Sequence, residues 1–538
     1  MCQKMSPTTT LFSFCRQLWF HHEPSGPINQ QLSAKLGGFP ADAVAGDGWD
    51  FILLGGVCDP PRFTTSSRIM MRLAAQRSTR ASRSVRRLRV QPQPAQNLPE
   101  PLFSVVPPQL PPARVLEEEA VQSQVHNFSA GPAQLPLSVL SRARDELLSW
   151  PDAPGQSPMC ISHREAGGAY QKLATRLALQ IRATLDVPDN YQVLFMQGGA
   201  HAQFAAAPLN LCGRPAAEAR ASGHHAFESR PVAAVDTGFW ARRAAAEIGR
   251  YAPVRWVASA DPDEAAATFG DAGVSEAERD WRHGDCMHTR LPPVDSWVVD
   301  DDAAFVHLCA NETINGLELI EDPSLPSGAP PLVADFTSTL LSRPIDVSKY
   351  GVVYCSGGKN LGPAGGTLVL VRDDLIGGGR EHPLCPSVLS YSKFATTWPI
   401  PNLYATPPTY AIYMMSLVLD DLTARGGLEW AAQRTEQLSA RLYEAIDGSG
   451  GFYSNRVEAG SRSRVSVPFS VVGSCGRSPS ESAALEKLFV EQAEASGFRH
   501  IAGHPLHGGI RASIYNGVPD SAVNALLGFM DDFRLQHA

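Results

Sequence analysis

Short runs of apolar residues alternate with amphipathic segments from Gln122 onward. The runs are QVLFMQGG (192–199), PVAAVDTG (231–238), AFVHLC (304–309), PLVADFTS (331–338), GVVYCSGG (351–358) and GTLVLVR (366–372). Continuous apolar runs of this length are typical of strands buried on both faces of a sheet. HAQFAAAPLNL and WARRAAAEIGRYA begin just after two of these runs and have a helical composition. This order of strand and helix predicts an α/β fold with a mostly parallel sheet.

The pattern changes after about residue 409. The segment TYAIYMMSLVLDDLTARGGLEWAAQRTEQLSARLYEAID predicts a long helical stretch that is interrupted at Gly426 and Gly427. The strand-like runs RVSVPFSVV and GGIRASIY then alternate with helices. The sequence therefore predicts a smaller α+β domain at the C-terminal end.

Residues 1–120 differ from the rest and predict an extension that is disordered. Within them, residues 70–99 hold seven arginines, several serines and no acid, which is the composition of an organelle transit peptide. Such peptides lie at an N-terminus, so we expect either that translation starts at Met70 or Met71 or that the stretch before them is a gene-model artefact. The expected destination is a plastid or mitochondrion. The alternative is a disordered basic linker, and the location would then be cytoplasmic.

Composition and charge exclude several classes of function. The chain has 538 residues, 43% of them hydrophobic, with a formal net charge of −8. It shows no sustained basic face after residue 100, so we expect no nucleic-acid partner. No apolar run reaches about 18 residues, so we expect no membrane span. The ten cysteines form no CxxC pair and no zinc-like spacing, which predicts reduced structural thiols and no metal.

Polar residues at strand ends suggest a ligand site. Gly198 and Gly199 precede a predicted helix start near Ala200, where free N–H groups suit an anion, although such glycines also occur in plain turns. Asp335 ends the LVAD strand, and Lys359 follows the next strand by a few residues. An ordinary ion pair is one explanation. The other is pyridoxal phosphate (PLP), which needs a carboxylate for its ring nitrogen and a lysine for its aldehyde.

A family resemblance covers residues 122–538. It rests on HNFSAGPAQLP, SHREAG, LFMQGGAHAQFAAAPLNL, DTGFWARRAAAEIGRYA, CANETINGLE, SRPIDVSKYG, ATPPTYAIY and GGIRASIYN, in this order. Together these segments resemble the phosphoserine aminotransferases, which are class V, fold-type I PLP enzymes. The resemblance implies a seven-stranded large domain over residues 142–428 and a small domain over 429–538. Residues 122–141 would join the small domain. The loop at 258–295 is longer than the family pattern.

The resemblance also implies roles for individual residues. Lys359 would be the catalytic lysine that binds the cofactor aldehyde, Asp335 would pair with the ring nitrogen, and Trp240 would stack on the ring. Thr313 would bind the ring hydroxyl, and Ala200 and His201 would hold the cofactor phosphate. Thr406 would reach that phosphate from the second subunit of a homodimer.

The implied substrates are glutamate and 3-phosphohydroxypyruvate, which exchange an amino group to give 2-oxoglutarate and O-phosphoserine in serine biosynthesis. Arg511 matches the arginine that grips the α-carboxylate of the substrate. His163, Arg164 and His504 match a cluster for the substrate phosphate.

Four departures from the family pattern involve five positions. Gly358 replaces a glutamine, Ala405 an asparagine and Pro505 an arginine of the phosphate cluster, while Ala200 and Ala202 replace helix-start glycines. Loss of the arginine alone predicts about 1.5–3 kcal/mol weaker phosphate binding, for which His507 is a candidate to compensate. Two alternatives therefore stay open: a related aminotransferase with another acidic oxo-acid specificity, and a non-catalytic dimeric paralogue.

Overall fold

The computed structural model describes residues 125–215, 218, 220–221, 223, 228–260, 288–397, 402–474, 476–505 and 507–538. The helices include α1 (Leu137–Glu146), α2 (Ala169–Leu185), α3 (Gly199–Leu211), α4 (Phe239–Ile248), α5 (Tyr391–Thr396), α6 (Thr409–Arg425), α7 (Gly427–Asp447), α8 (Pro479–Ala495) and α9 (Asp520–His537). The predicted transit-like segment, and most of the loop at 258–295, lie outside the described residues.

The strands fall into one large sheet and several small ones. They are β1 (His126–Asn127), β2 (Tyr191–Met196), β3 (Val232–Asp236), β4 (Val254–Ser259), β5 (Val306–Cys309), β6 (Asn311–Glu312), β7 (Leu317–Glu318), β8 (Leu332–Asp335), β9 (Tyr350–Ser356), β10 (Thr367–Arg372), β11 (Tyr453–Ser454), β12 (Ser466–Val471), β13 (Phe498–Arg499) and β14 (Ile510–Ser513).

The large sheet has seven strands in the order β2, β10, β9, β8, β5, β3, β4. The neighbouring strands from β9 to β4 are parallel, whereas β10 runs antiparallel to both β9 and β2. The carboxyl ends of the six parallel strands therefore meet at one edge, which is where open α/β sheets bind ligands. The predicted α/β class and mostly parallel sheet are confirmed.

Helices cover both faces of this sheet. Along β2, Val193 and Phe195 pack into the core formed with α2 and α6, while Leu194 and Met196 pack into the core formed with α3 and α4. Successive strand residues point to opposite faces, so a strand covered on both sides must be apolar throughout. This explains why the strands appear in the sequence as unbroken apolar runs.

A separate core unites the C-terminal elements. The antiparallel sheet β11–β12–β14 packs with α7, α8 and α9 around a cluster that includes Phe489 and Phe533. Strand β1 pairs in parallel with β13, so the segment at 126–127 lies beside these C-terminal elements. The interruption predicted between α6 and α7 is at Gly426, whose φ of 114° ends one helix before the next begins. The domain boundaries given above stay a prediction.

Candidate active site

A cavity of about 580 Å³ opens at the carboxyl edge of the large sheet and extends to the C-terminal elements. Eight of the sequence-predicted site residues line it: Ala200, His201, Trp240, Thr313, Asp335, Lys359, His504 and Arg511. They come from the loops or helices that follow several different strands and from the region of β14. The fold thus gathers residues that are up to 311 positions apart in the sequence into one space.

The start of helix α3 forms one wall of the cavity. Gly198 precedes it with a φ of 92°, and a Cβ at this position would lie 2.5 Å from the Cβ of Ala202. The N–H of Gly199 donates to Thr367 Oγ1 at 2.9 Å. Ala200 and His201 follow in the first helical turn, where backbone N–H groups have no intrahelical acceptor and the helix dipole is positive. These two residues can therefore hold an anion, such as a phosphate group.

Asp335 is a buried carboxylate at the end of β8, with only 6% of its surface exposed. Its Oδ1 accepts from the N–H of Thr337 at 2.8 Å. Burial raises the pKa of Asp335, against the opposing effects of Thr337, Lys359 and His201. Among the described residues Asp335 forms no salt bridge, and a buried carboxylate needs a cationic partner to remain charged. A protonated ring nitrogen would satisfy this requirement.

Lys359 follows β9 in a tight glycine loop. The N–H of Gly358 donates to Gly362 O at 2.5 Å, and Gly358 O accepts from the N–H of Ala133 at 2.8 Å. The φ of Gly358 is 107°, a conformation that a residue with a side chain adopts only with strain. The glycine at this position thus matches the backbone that it occupies. The loop places Lys359 Nζ 6.0 Å from the centre of the Trp240 ring.

Trp240 and Thr313 are joined directly. Trp240 Nε1 donates to Thr313 Oγ1 at 2.9 Å. A hydroxyl that accepts this bond still has its own proton to donate. Thr313 can therefore orient the indole ring and bind an oxygen in the cavity at the same time.

Glu312, which was not predicted from the sequence, fixes the helix that carries Trp240. Its carboxylate is fully buried, and its two oxygens accept from the N–H groups of Trp240 at 2.9 Å and Ala241 at 2.8 Å. Helix α4 has no cap from its own N-cap residue, Gly238, so Glu312 satisfies the free N–H groups from outside. Burial raises the pKa of Glu312 to about 7, against the effect of these two hydrogen bonds.

Arg511 reaches the cavity from strand β14. Its Nη1 donates to the carbonyl oxygen of Thr313 at 3.2 Å, while Nε has no acceptor in the described part of the chain. Burial lowers the pKa of Arg511. The same junction is held by Ser463, which donates to Asn311 Oδ1, and by Arg464, whose Nη2 lies 3.2 Å from Glu318. These contacts hold the guanidinium at one wall of the cavity, where a carboxylate can bind.

His504 lines the same cavity as Arg511. Its ring centre is 5.7 Å from that of Phe239. Burial, together with the positive charge of Arg511, lowers the pKa of His504. Arg511 therefore supplies the positive charge of this wall, and the neutral His504 ring adds a hydrogen-bonding group, which together suit an acidic substrate.

Three sequence-predicted residues do not line the cavity of their own chain: His163, Arg164 and Thr406. His163 and Arg164 lie in the loop before α2, and Arg164 is exposed. Thr406 is also exposed, and its carbonyl oxygen accepts from Gln197 Nε2 at 2.6 Å. Within one chain these residues are not brought to the predicted site.

The cavity residues fit PLP. An anion site, an uncompensated buried carboxylate, an indole ring and a lysine surround one space large enough for a small cofactor. Across the described ranges, no group of three His, Cys, Asp or Glu side chains is placed to hold a metal ion. The helices described there also include none long and apolar enough to cross a membrane.

Several other lining residues were missed from the sequence, among them Asn311, Thr337 and Ser356. The only signal for Asn311 and Glu312 was their place in the segment CANETINGLE, next to Thr313. Glu312 acts on residues about 70 positions away, and this pairing exists only in the folded chain.

Comparison with known proteins agrees with this geometry. The Aminotransferase class-V family model matches residues 288–526. A phosphoserine aminotransferase of Ralstonia nicotianae is 40% identical over 417 residues, which cover 77% of this chain and 97% of that protein. The structure of phosphoserine aminotransferase from Bacillus circulans subsp. alkalophilus is 36% identical with a TM-score of 0.64, covering 77% of this chain and 99% of that one.

A further solved structure is a PLP-bound phosphoserine aminotransferase from Trichomonas vaginalis. It is 30% identical with a TM-score of 0.61, and the match covers 76% of this chain and all of that one. The relative at 40% identity is matched over nearly its whole length. The chain therefore belongs to the phosphoserine aminotransferase family, within the class V aminotransferases.

Proposed function

We propose that the protein is a PLP-dependent phosphoserine aminotransferase, which transfers the amino group of glutamate to 3-phosphohydroxypyruvate to give 2-oxoglutarate and O-phosphoserine. The observation that carries this proposal is a single cavity that unites Lys359, Asp335 and Arg511. A lysine, a buried carboxylate and an arginine provide an amine for the cofactor, a partner for its ring nitrogen and a grip for an α-carboxylate.

Each of the proposed cofactor-binding residues would contact a different part of PLP. Lys359 would bind the aldehyde carbon, Asp335 the ring nitrogen, and the N–H groups of Ala200 and His201 the phosphate. Trp240 would cover the ring face, and the hydroxyl of Thr313 would donate to the ring oxygen. PLP, when bound in this way, supplies the electron sink that stabilises negative charge at Cα of an amino acid.

Lys359 has a second role as a general base. Its ε-amine lies within the cavity and is held by the glycine loop after β9, so it can take the proton from Cα of a bound amino acid. Asp335, paired with the ring nitrogen of bound PLP, would favour the protonated form of that nitrogen. Lys359 would thus move the Cα proton, and Asp335 would hold the positive charge on the ring nitrogen that makes this proton acidic.

The substrate is oriented by its two acidic groups. Arg511 would hold the α-carboxylate, because a guanidinium offers two parallel N–H donors to a planar acid. His504 would bind the acidic group at the other end of the substrate, which is a phosphate in phosphoserine and a carboxylate in glutamate. Both amino acids can then use the same cavity in turn.

A homodimer would complete the site. His163, Arg164 and Thr406 are the predicted residues that do not line the cavity of their own chain. We infer that they come from the second copy, where Thr406 would bind the cofactor phosphate while His163 and Arg164 would bind the substrate phosphate.

Amino-donor specificity tests the proposal. The purified chain loaded with PLP should convert phosphoserine and 2-oxoglutarate with a kcat/KM at least about 100-fold above that for alanine or aspartate as donor. A preference for another acidic donor would favour the aminotransferase of altered specificity. Absence of turnover with any donor would favour the non-catalytic paralogue.

We also propose that residues 70–99 direct the protein to a plastid or mitochondrion, because seven arginines without any acid are typical of transit peptides. A fluorescent protein fused after residue 120 should enter an organelle, and deletion of residues 70–99 should leave it in the cytoplasm. Cytoplasmic fluorescence from the intact fusion would refute this assignment.

A further inference from the structure

A buried charge cluster adjoins the chain segment that carries Trp240. Its centre is the carboxylate of Asp236, the last residue of β3, which is almost completely buried. Arg242, on α4, donates to it through Nε at 3.1 Å to each oxygen and through Nη2 at 2.8 Å to Oδ2. Asp236 and Arg242 flank Trp240 in the sequence, so their ion pair joins the two ends of the short segment that carries the indole ring.

Two more side chains contact the same carboxylate. Ser259 Oγ donates to Asp236 Oδ2 at 2.9 Å, and His288 Nε2 lies 3.0 Å from Oδ1. The His288 side chain is itself buried. Ser259 and His288 belong to the loop at 258–295, one at its start and the other towards its end. Both parts of this loop thus meet at Asp236.

The charge state of Asp236 defines how His288 takes part. Burial opposes the ionised carboxyl, but the charges and hydrogen bonds of His288 and Arg242 outweigh it and hold the pKa of Asp236 well below its ordinary value. An ionised carboxylate only accepts hydrogen bonds, so Nε2 of His288 must carry a proton and act as the donor. A hydrogen bond to a charged group of this kind is stronger than one between neutral groups.

His288 and Ser259 together fix the rotation of this carboxylate. The last torsion of an aspartate side chain is broad and roughly two-fold, so contacts to both oxygens are needed to hold one orientation. His288 binds Oδ1 and Ser259 binds Oδ2. The two N–H groups of the Arg242 fork can pair with the carboxylate only when its orientation matches theirs. The contacts of His288 and Ser259 therefore determine where Arg242 is held.

The same short segment is held at its backbone by Glu312. Thr237, the residue after Asp236, donates through Oγ1 to Glu312 Oε1 at 3.3 Å, and Glu312 accepts from the N–H of Trp240. Glu312 thus acts on the backbone before the helix, whereas Asp236 acts through the side chain of Arg242 one half-turn beyond the indole. A shift of either contact would move Trp240, which lines the cavity.

We propose that His288 is a positioning residue for the cofactor: it orients the carboxylate of Asp236, which holds Arg242 and thereby keeps Trp240 in place beside the cofactor ring. This inference rests on the proposed function. His288 is not one of the residues that line the cavity, so it acts on PLP through Asp236 and α4. A small displacement is enough, because a gap of about 0.5–1 Å between two rings already loses a quarter to a half of their dispersion attraction.

Cofactor binding by variants of His288 tests this role in the full-length protein. His288→Leu removes the donor, whereas His288→Gln retains an N–H group. We expect the leucine variant to bind PLP about tenfold more weakly in an absorbance titration, and the glutamine variant to stay within about threefold of the unmodified protein. The visible circular dichroism of bound PLP depends on the orientation of the ring in its site. It should weaken in the leucine variant and recover in the glutamine variant.

His307 supplies a matched control. It is the other buried histidine in the described ranges, with Nε2 2.8 Å from the Tyr354 hydroxyl. His307→Leu should also lower the midpoint of thermal unfolding, but its PLP affinity should stay within about twofold of the unmodified protein and its dichroism should not change. A loss of PLP affinity equal to that of His288→Leu would indicate a general effect of lost stability and would overturn the inference.

Ser259→Ala decides the question if His288→Leu does not fold. It removes the contact to the second oxygen of Asp236 and should weaken PLP binding about threefold. Unchanged PLP affinity in Ser259→Ala, or in a folded His288→Leu protein, would overturn the inference, as would an unchanged dichroism of PLP bound to His288→Leu. If the unmodified protein binds no PLP, the proposed function itself fails, and that result is distinct from these.

Discussion

Trp240 Nε1 donates a hydrogen bond to Thr313 Oγ1 at 2.9 Å, which joins two residues that are 73 positions apart in the sequence. The preceding residue, Glu312, binds the backbone N–H of Trp240. The dipeptide at 312–313 therefore holds this tryptophan at both its backbone and its ring. The orientation of the indole over the cavity depends on these two contacts.

Removal of the Thr313 hydroxyl should weaken cofactor binding. In Thr313→Ala the indole N–H loses its acceptor and the cavity loses a donor, so we expect PLP to bind about tenfold more weakly. Thr313→Ser keeps the hydroxyl and should stay within about threefold of the unmodified protein. Quenching of tryptophan fluorescence during PLP titration measures both. Equal affinities for the alanine and serine variants would contradict this role.

Glu312 should make stability depend on pH in a defined direction. Its pKa is about 7 in the folded protein, above the ordinary value of 4.5, because burial disfavours the charged form. The stabilisation from protonation is thus complete below pH 4.5 and is lost as the pH rises through about 7. The glutamine of Glu312→Gln does not titrate. As the pH rises from 4.5 through about 7, the free energy of unfolding of this variant should therefore increase relative to that of the unmodified protein, by at most about 3 kcal/mol.

Denaturant unfolding of the two proteins at pH 5 and pH 8 checks the Glu312 prediction. The free energy of unfolding of Glu312→Gln, relative to that of the unmodified protein, should be higher at pH 8 than at pH 5. A difference that is the same at both would mean that Glu312 has an ordinary pKa.

Arg511 should affect both amino donors alike. Arg511→Lys replaces a planar fork with a point charge, so kcat/KM for phosphoserine and for glutamate should each fall about 30- to 100-fold. PLP affinity should not change, because Arg511 is assigned to the substrate. The two half-reactions, followed separately, measure this. A loss confined to one donor would contradict its assignment to the shared α-carboxylate.

Mixing of two inactive variants tests whether the site is shared between subunits. Lys359→Ala removes the base, and Arg164→Gln removes the proposed contact from the second copy. If Arg164 acts across the interface, a hybrid dimer contains one complete site. An equal mixture that exchanges subunits should therefore recover about a quarter of the unmodified activity, by random pairing.

Two controls define the outcome of the mixing experiment. Each variant alone should stay inactive, and a mixture kept from exchanging subunits should recover nothing. If the exchanged mixture also stays inactive, Arg164 acts within its own chain or not at all.

Much of the large sheet could be predicted because most of its strands are covered on both faces. Strand β4 was missed, since it lies at the edge of the sheet and carries Arg255, an exposed residue that pairs with Asp300 at 2.6 Å. A polar residue within the run removes the unbroken apolar pattern. Edge strands of this kind carry a weaker signal than central ones.

The site could be predicted where a functional side chain lies at the end of a strand or just after it. Asp335 and Lys359 lie at or just after apolar runs, so position and residue type alone suggested a ligand site. The role of Glu312 was not visible, because its partners belong to the start of α4.

The most direct test of the account is the visible absorption spectrum of the full-length protein with added PLP, before and after addition of glutamate, with Lys359→Ala as control. We predict an absorption band from covalently held cofactor that is missing in the Lys359→Ala variant and is lost from the unmodified protein when glutamate is added. The same band in both proteins, or a band in the unmodified protein that glutamate leaves unchanged, would contradict an aminotransferase that works through Lys359.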